Sequence, residues 1–248
     1  MEDKIFIDHF RNTDVQATDI LRSQKIARDC LEHMKTFLKP GMDHKTIHEE
    51  CERYMKEKGA ESFWTHDDGA LILFSDLTTY SAHLSPASLY EGKTIGESDL
   101  ITIDVSPTIS SGWGDMARSF IMENGKIIPW QESSNKEIIE AMEMEMKLHE
   151  LFFEWVKKDT TFSDLHHLTD DYLKAHGYIN LDYHGNFGHS IENRSSDRVT
   201  IIEGVDIVIS QYDKPITFEP HICKINGRYG VKHENIYFYH NGRMEDIL

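Results

Sequence analysis

The order of secondary-structure signals constrains this chain most: two helices lead into a stretch of strands, and the same order then repeats. From Asp19, apolar residues Ile20, Ile26, Ala27, Leu31, Met34 and Leu38 recur at helical spacing, and Lys39-Pro40-Gly41 stops that helix. Asp43 is placed to N-cap a second helix, with Met42 and Ile47 as a hydrophobic staple and Gly59 as its end. Strands are predicted over 100–106 and, past the Ser111-Gly112 turn, up to about Met122. Helices follow over 135–158 and 163–175, with Gly177 as a stop, and strands again over 205–210, 216–224 and 234–239. The end of each second helix also reads alike, Tyr54-Met55-Lys56-Glu57-Lys58-Gly59 against Tyr172-Leu173-Lys174-Ala175-His176-Gly177. Two α+β halves related by duplication, facing each other across a cleft, fit this order.

Composition narrows the partners. The chain has 248 residues, enough for one large core, with 26 basic and 43 acidic residues and a net charge of −17. That balance argues against a nucleic-acid surface or a polybasic membrane patch. No apolar run reaches membrane-spanning length, and the charged opening segment has no signal-peptide pattern. Cys30, Cys51 and Cys223 form neither a zinc spacing nor a disulfide framework. A cytoplasmic protein is expected, with neither nucleic acid nor membrane as partner, and homodimerisation is left open.

The chemistry begins at Asp104, inside the apolar run Ile101-Thr102-Ile103-Asp104-Val105, where a carboxylate is costly unless paired or bound to metal. Asp115 follows beyond the Ser111-Gly112 turn, so two antiparallel strands would bring the carboxylates together; a turn-capping Asp115 paired with Arg118 is an equal alternative. The second half offers His189 in Gly188-His189-Ser190, Glu219 in Ile216-Thr217-Phe218-Glu219-Pro220, and Glu234 at the head of a strand. Four carboxylates and one imidazole suit two divalent ions such as manganese, iron, cobalt or zinc.

These residues, with Lys39-Pro40-Gly41-Met42, Gly114-Asp115-Met116-Ala117-Arg118-Ser119-Phe120 and Gly230-Val231-Lys232-His233-Glu234, resemble the pita-bread metallopeptidase family. That family includes methionine aminopeptidases, proline-specific aminopeptidases, prolidases and creatinase. The resemblance implies an α+β pita-bread fold, two pseudo-symmetric α+β halves around a curved antiparallel sheet. It implies one catalytic domain over 1–248, with 1–18 as an N-terminal extension. Asp104, Asp115, His189, Glu219 and Glu234 would then hold two divalent ions, Asp115 and Glu234 bridging them. A metal-bridging hydroxide would attack the amide of a small peptide. His83, in Tyr80-Ser81-Ala82-His83-Leu84, matches the family's substrate-facing histidine and would assist the leaving nitrogen.

The chain also departs from the family. Ser196 stands where these peptidases carry a second histidine, Glu192 where they carry glycine, and Lys232 where proline-specific members carry arginine. His184 lies five residues before His189 rather than four. His184, Ser196 and Lys232 are the expected substrate contacts, and lysine keeps the charge of arginine without its fork. The proline-specific members' amino-terminal domain has no counterpart in this sequence. The expected function is an Xaa-Pro-type aminopeptidase or dipeptidase. Alternatives are a hydrolase of a small non-peptide amide or C–N bond, and a metal-free binding module.

Overall fold

The computed structural model describes residues 2–64, 68–81 and 87–247. Its helices are α1 (Glu2–Phe10), α2 (Ala17–Phe37), α3 (His44–Glu57), α4 (Lys136–Trp155) and α5 (Phe162–Ala175). The strands of the first half are β1 (Ser62–Phe63), β2 (Ala70–Phe74), β3 (Asp99–Val105), β4 (Pro107–Ile109), β5 (Gly112–Trp113), β6 (Met116–Glu123) and β7 (Lys126–Ile128). Those of the second are β8 (Tyr178–Asn180), β9 (Ile216–Phe218), β10 (His221–Lys224), β11 (Gly230–Lys232), β12 (Asn235–His240) and β13 (Arg243–Asp246). The two-fold order of helix pair and strands is therefore present. Asp43 caps α3 by accepting from Thr46 N at 2.8 Å, and Asn135 caps α4. The matching helix ends both turn at a left-handed glycine, Gly59 at φ +103° and Gly177 at φ +76°.

In the first half, β2-β3-β6-β7 form an antiparallel sheet with β3 at its centre. The odd residues Ile101, Ile103 and Val105 pack into the core shared with α2 and α3. The even residues face the other half: Leu100 enters the second core, Thr102 meets Ser119 at 2.8 Å, and Asp104 points where the two halves meet. In the second half, α4 and α5 cover the sheet β11-β10-β8, and β13-β12-β9 runs beside it. Glu234 N donates to Ala117 O at 3.1 Å, and Lys232 N donates to Ser119 Oγ at 2.9 Å. Through these bonds β6 joins the strands of the two halves.

Three local expectations are corrected. Residues 205–210 form no strand; the carbonyls of Ile207 and Val205 accept from Phe162 N and Ser163 N, the open amides at the start of α5. The predicted strand over 216–224 is two strands in different sheets, because Pro220 has no N–H to continue a ladder. Arg118 does not pair with Asp115; its guanidinium donates to the carbonyls of Ala117 and Glu234 and to Asn235 Oδ1. The first eighteen residues include α1, whose Phe6 packs edge-on against Phe238 of β12 with ring centroids 5.1 Å apart. No helix among the described residues is long and apolar enough to cross a membrane.

Candidate metal centre

Local backbone geometry delivers each side chain. Asp104 pairs with Ala117 in the β3–β6 ladder, so Asp115, two residues before Ala117, projects from the same sheet face as its diagonal neighbour. Gly112 and Gly114 allow this strand to lie directly on α2: a Cβ on either would come within 2.6 Å of that helix's backbone. Gly188, at φ +148°, lets His189 approach the β9 strand, where a Cβ would fall 2.3 Å from Thr217 O. His189 N then donates to Thr217 Oγ1 at 3.0 Å. Phe218 pairs with Asn235 at the end of the β9–β12 ladder, which sets Glu219 and Glu234 side by side.

The five carboxylate and imidazole side chains converge. Ligand atoms of Asp115, His189 and Glu234 lie within 4.8 Å of one another, and so do those of Asp104, Glu219 and Glu234. His189 Nδ1 lies 3.2 Å from Ser190 O; a carbonyl only accepts, so the proton sits on Nδ1. Nε2 is left to face Glu219 Oε1 at 3.3 Å and Asp115 Oδ2 at 3.6 Å, the arrangement a metal-binding imidazole needs. Burial pushes His189 down to about 4, which keeps it neutral.

The two triads differ in how their charge is met. Lys232 Nζ lies 2.5 Å from Asp104 Oδ2, 2.7 Å from Glu219 Oε2 and 3.4 Å from Glu234 Oε2. Burial alone would lower this lysine, but Asp104, Glu219 and Glu234 outweigh it and hold it protonated. Burial likewise works to raise Glu219, yet Lys232, His189 and the Thr217 hydroxyl bring it down to about 2. Asp115 moves the other way, well above the usual carboxylate range, first through burial and then through Asp104 and Glu219. Glu234 rises for the same reasons, and neither of its oxygens has a hydrogen-bond partner among the described residues. Buried carboxylates forced toward protonation beside a neutral imidazole suit a divalent cation. The triad Asp115, His189 and Glu234 therefore fits one.

The cluster opens into a cavity of about 430 Å³, within the range of small-molecule sites. Trp64 lies parallel to His189 at 5.9 Å, and the Arg198 guanidinium lies over that indole, its Cζ 4.1 Å from the ring centroid. His184 lines the cavity from an exposed turn at φ +54°. Ser196 is exposed, donates to Asp197 Oδ1 at 3.1 Å and is not among the cavity-lining residues. Glu192 is engaged by the hydroxyls of Ser190 and Tyr212. His83 lies outside the described residues.

Sequence reasoning missed Arg198 and Trp64. Arg198 lies two residues beyond Ser196, and the bridge His189↔Thr200 sets the phase that turns 198 and 200 into the cavity. Alternation counted back from Thr200 would have found it.

The model of metallopeptidase family M24 matches residues 18–240. An uncharacterized peptidase, YqhT of Bacillus subtilis (strain 168), is 26% identical over 201 residues, covering 80% of this chain and 51% of that protein. The chain thus spans about half the length of this curated relative. Among solved structures, the X-Pro aminopeptidase of Thermotoga maritima MSB8 superposes with a TM-score of 0.77 at 16% identity, over 100% of this chain and 64% of that one. The prolidase of Pyrococcus furiosus gives 0.74 at 19%, over 99% and 67%. The Xaa-Pro dipeptidase of Bacillus anthracis gives 0.76 at 20%, over 98% and 63%.

Proposed function

The chain belongs to metallopeptidase family M24 and has its pita-bread fold, and from that premise we infer that it is a metal-dependent hydrolase of peptide amide bonds, of the Xaa-Pro aminopeptidase or dipeptidase kind. The observation that carries this reading is the convergence of Asp115, His189 and Glu234, drawn from both halves, with Asp115 and His189 lining a substrate-sized cavity. A divalent ion bound there would polarise a carbonyl and lower the pKa of a coordinated water. The chain's own residues do the rest. Ser190 O fixes the His189 tautomer. Lys232 pairs with Asp104 and Glu219, orienting both and holding Glu219 ionised. Trp64 and Trp113 wall His189 with aromatic surface, which limits water access and strengthens electrostatic contacts. Arg198 at the cavity wall offers a fork for a substrate carboxylate. His83 remains the proposed donor to the leaving nitrogen.

A second reading, hydrolysis of a small non-peptide amide or C–N bond, draws on the cavity wall. The position of the family's second histidine, Ser196, lies away from the cavity, and a guanidinium takes part in that wall instead. Steady-state assays on Xaa-Pro dipeptides, Xaa-Pro-Xaa tripeptides and Met-Ala peptides, each with manganese, cobalt, iron and zinc, test the choice. Cleavage of a proline peptide with kcat/KM at or above roughly 10⁴ M⁻¹s⁻¹ supports the peptidase reading. Turnover of none of them, beside turnover of a small amide, would replace it with the second.

A further inference from the structure

The two triads share Glu234 but differ in one respect. All three members of Asp104, Glu219 and Glu234 already meet a cation, the Lys232 ammonium, at 2.5, 2.7 and 3.4 Å. An ammonium has three N–H donors and no acceptor; Asp104 Oδ2 accepts one of them, and oxygens of Glu219 and Glu234 lie beside it as ion-pair partners. We propose that Lys232 takes the place of one of the two metal ions, and that the chain binds a single divalent ion at Asp115, His189 and Glu234. This rests on the reading of the chain as a metal-dependent hydrolase.

Two observations support the substitution. First, an ion shared by these carboxylates would sit about 2.0–2.2 Å from their oxygens, in the space the ammonium fills. Second, Lys232 cannot retreat with its backbone. Its N–H donates to Ser119 Oγ at 2.9 Å, its carbonyl accepts from the same hydroxyl at 3.3 Å, and it pairs with His221 in the β10–β11 ladder. The side chain itself is only 8% exposed. Arginine, which the resemblance places here in proline-specific members, has a planar fork rather than a compact point charge. The departure at this position is thus a change in which cation holds the second triad.

The experiment is metal stoichiometry on the full chain, stripped with chelator and titrated with Mn²⁺, read by calorimetry and by elemental analysis after dialysis. One ion per chain is expected, lost in His189→Ala. Lys232→Met should raise the count to two. Should that variant not fold, paramagnetic resonance of the Mn²⁺-saturated wild type decides, with an isolated-ion spectrum expected. Two ions in the wild type, an exchange-coupled pair, or a Lys232→Met count that stays at one would overturn the substitution and leave the hydrolase reading standing. An ion that persists in His189→Ala would overturn the assignment of its site. No bound ion at all would overturn both.

Discussion

The side-chain amide of Gln24 holds the backbone of Asp115 from both sides: Nε2 donates to the Asp115 carbonyl at 3.0 Å, and Oε1 accepts from its N–H at 2.8 Å. Gln24 is fully buried on α2, so this pair of bonds fixes a proposed ligand from behind. Gln24→Leu keeps much of the volume and removes both bonds. Each orphaned backbone group should cost about 1–3 kcal/mol in denaturant unfolding. Affinity for Mn²⁺ should fall roughly 10–100-fold, as for other supports behind a ligand. Unchanged affinity in a folded variant would show that Asp115 needs no such hold.

Asp115→Asn should act in opposite directions on the stripped and the loaded protein. Burial, Asp104 and Glu219 all oppose a charge on Asp115, so the neutral amide should stabilise the metal-free chain by on the order of 1–3 kcal/mol. Its melting temperature should rise by roughly 2–4 °C per kcal/mol. The further rise that Mn²⁺ gives the wild type should vanish. Thermal scans with and without metal measure both, and a metal-free melting temperature below that of the wild type would contradict the electrostatic account.

His149 gives the clearest pH dependence. Its Nε2 lies 2.9 Å from His233 O, so that nitrogen carries the proton, and Nδ1 accepts from the Tyr237 hydroxyl at 2.8 Å. Burial pushes it down to about 3. The unfolded chain, near 6.5, therefore binds this proton first on acidification. The contribution is fully present above about pH 6.5 and is lost progressively as the pH falls toward 3. Between pH 7 and pH 5 the stability advantage of wild type over His149→Asn should shrink by about 2 kcal/mol. Urea unfolding of both proteins at the two pH values checks this; parallel pH dependences would reject it.

Arg198→Ala should raise KM for peptides with a free carboxylate by roughly 10–100-fold, the worth of one charged hydrogen bond. C-terminally amidated versions of the same peptides should change little. Equal effects on both sets would remove Arg198 from carboxylate recognition.

His83→Ala should lower kcat by ~10²–10⁴-fold while Mn²⁺ affinity stays within error, since a proton donor to the leaving nitrogen acts on the reaction and not on the ion. A turnover number equal to wild type would return His83 to an ordinary loop residue.

The fold was legible where local and tertiary signals agreed. The apolar period of α2, the Asp43 cap of α3 and the Asn135 cap of α4 each announce themselves within a few residues. Helix α1 was missed because the residues that justify it, Phe6 and Phe10, find their partner in Phe238 at the far end of the sequence. Residues 205–210 have strand composition, but their carbonyls are taken by the first turn of α5, a tertiary claim no local window contains. Asp104 and Asp115 were readable as a pair because one ladder relates them. The resemblance sets Asp104 at one ion and His189 with Glu219 at the other; the grouping of Glu219 with Asp104 and Glu234 was not readable. It depends on where the Lys232 ammonium comes to rest, and that requires β11 laid against β6 through Ser119.

The glycines at 112 and 114 carry a mechanical consequence. Where they meet α2, main chain lies against main chain with no side-chain layer between them. Such a contact has nothing compressible in it, so helix and Asp115 must translate as one body. The opposite wall is built otherwise, from the exposed turn at Tyr183 and His184 and the stretch that carries Arg198 and Thr200. That wall, not the one backed by α2, has room to adjust to the length or bulk of what enters the cavity. The cavity is a vice with one fixed jaw, and the fixed jaw is the one that carries Asp104 and Asp115.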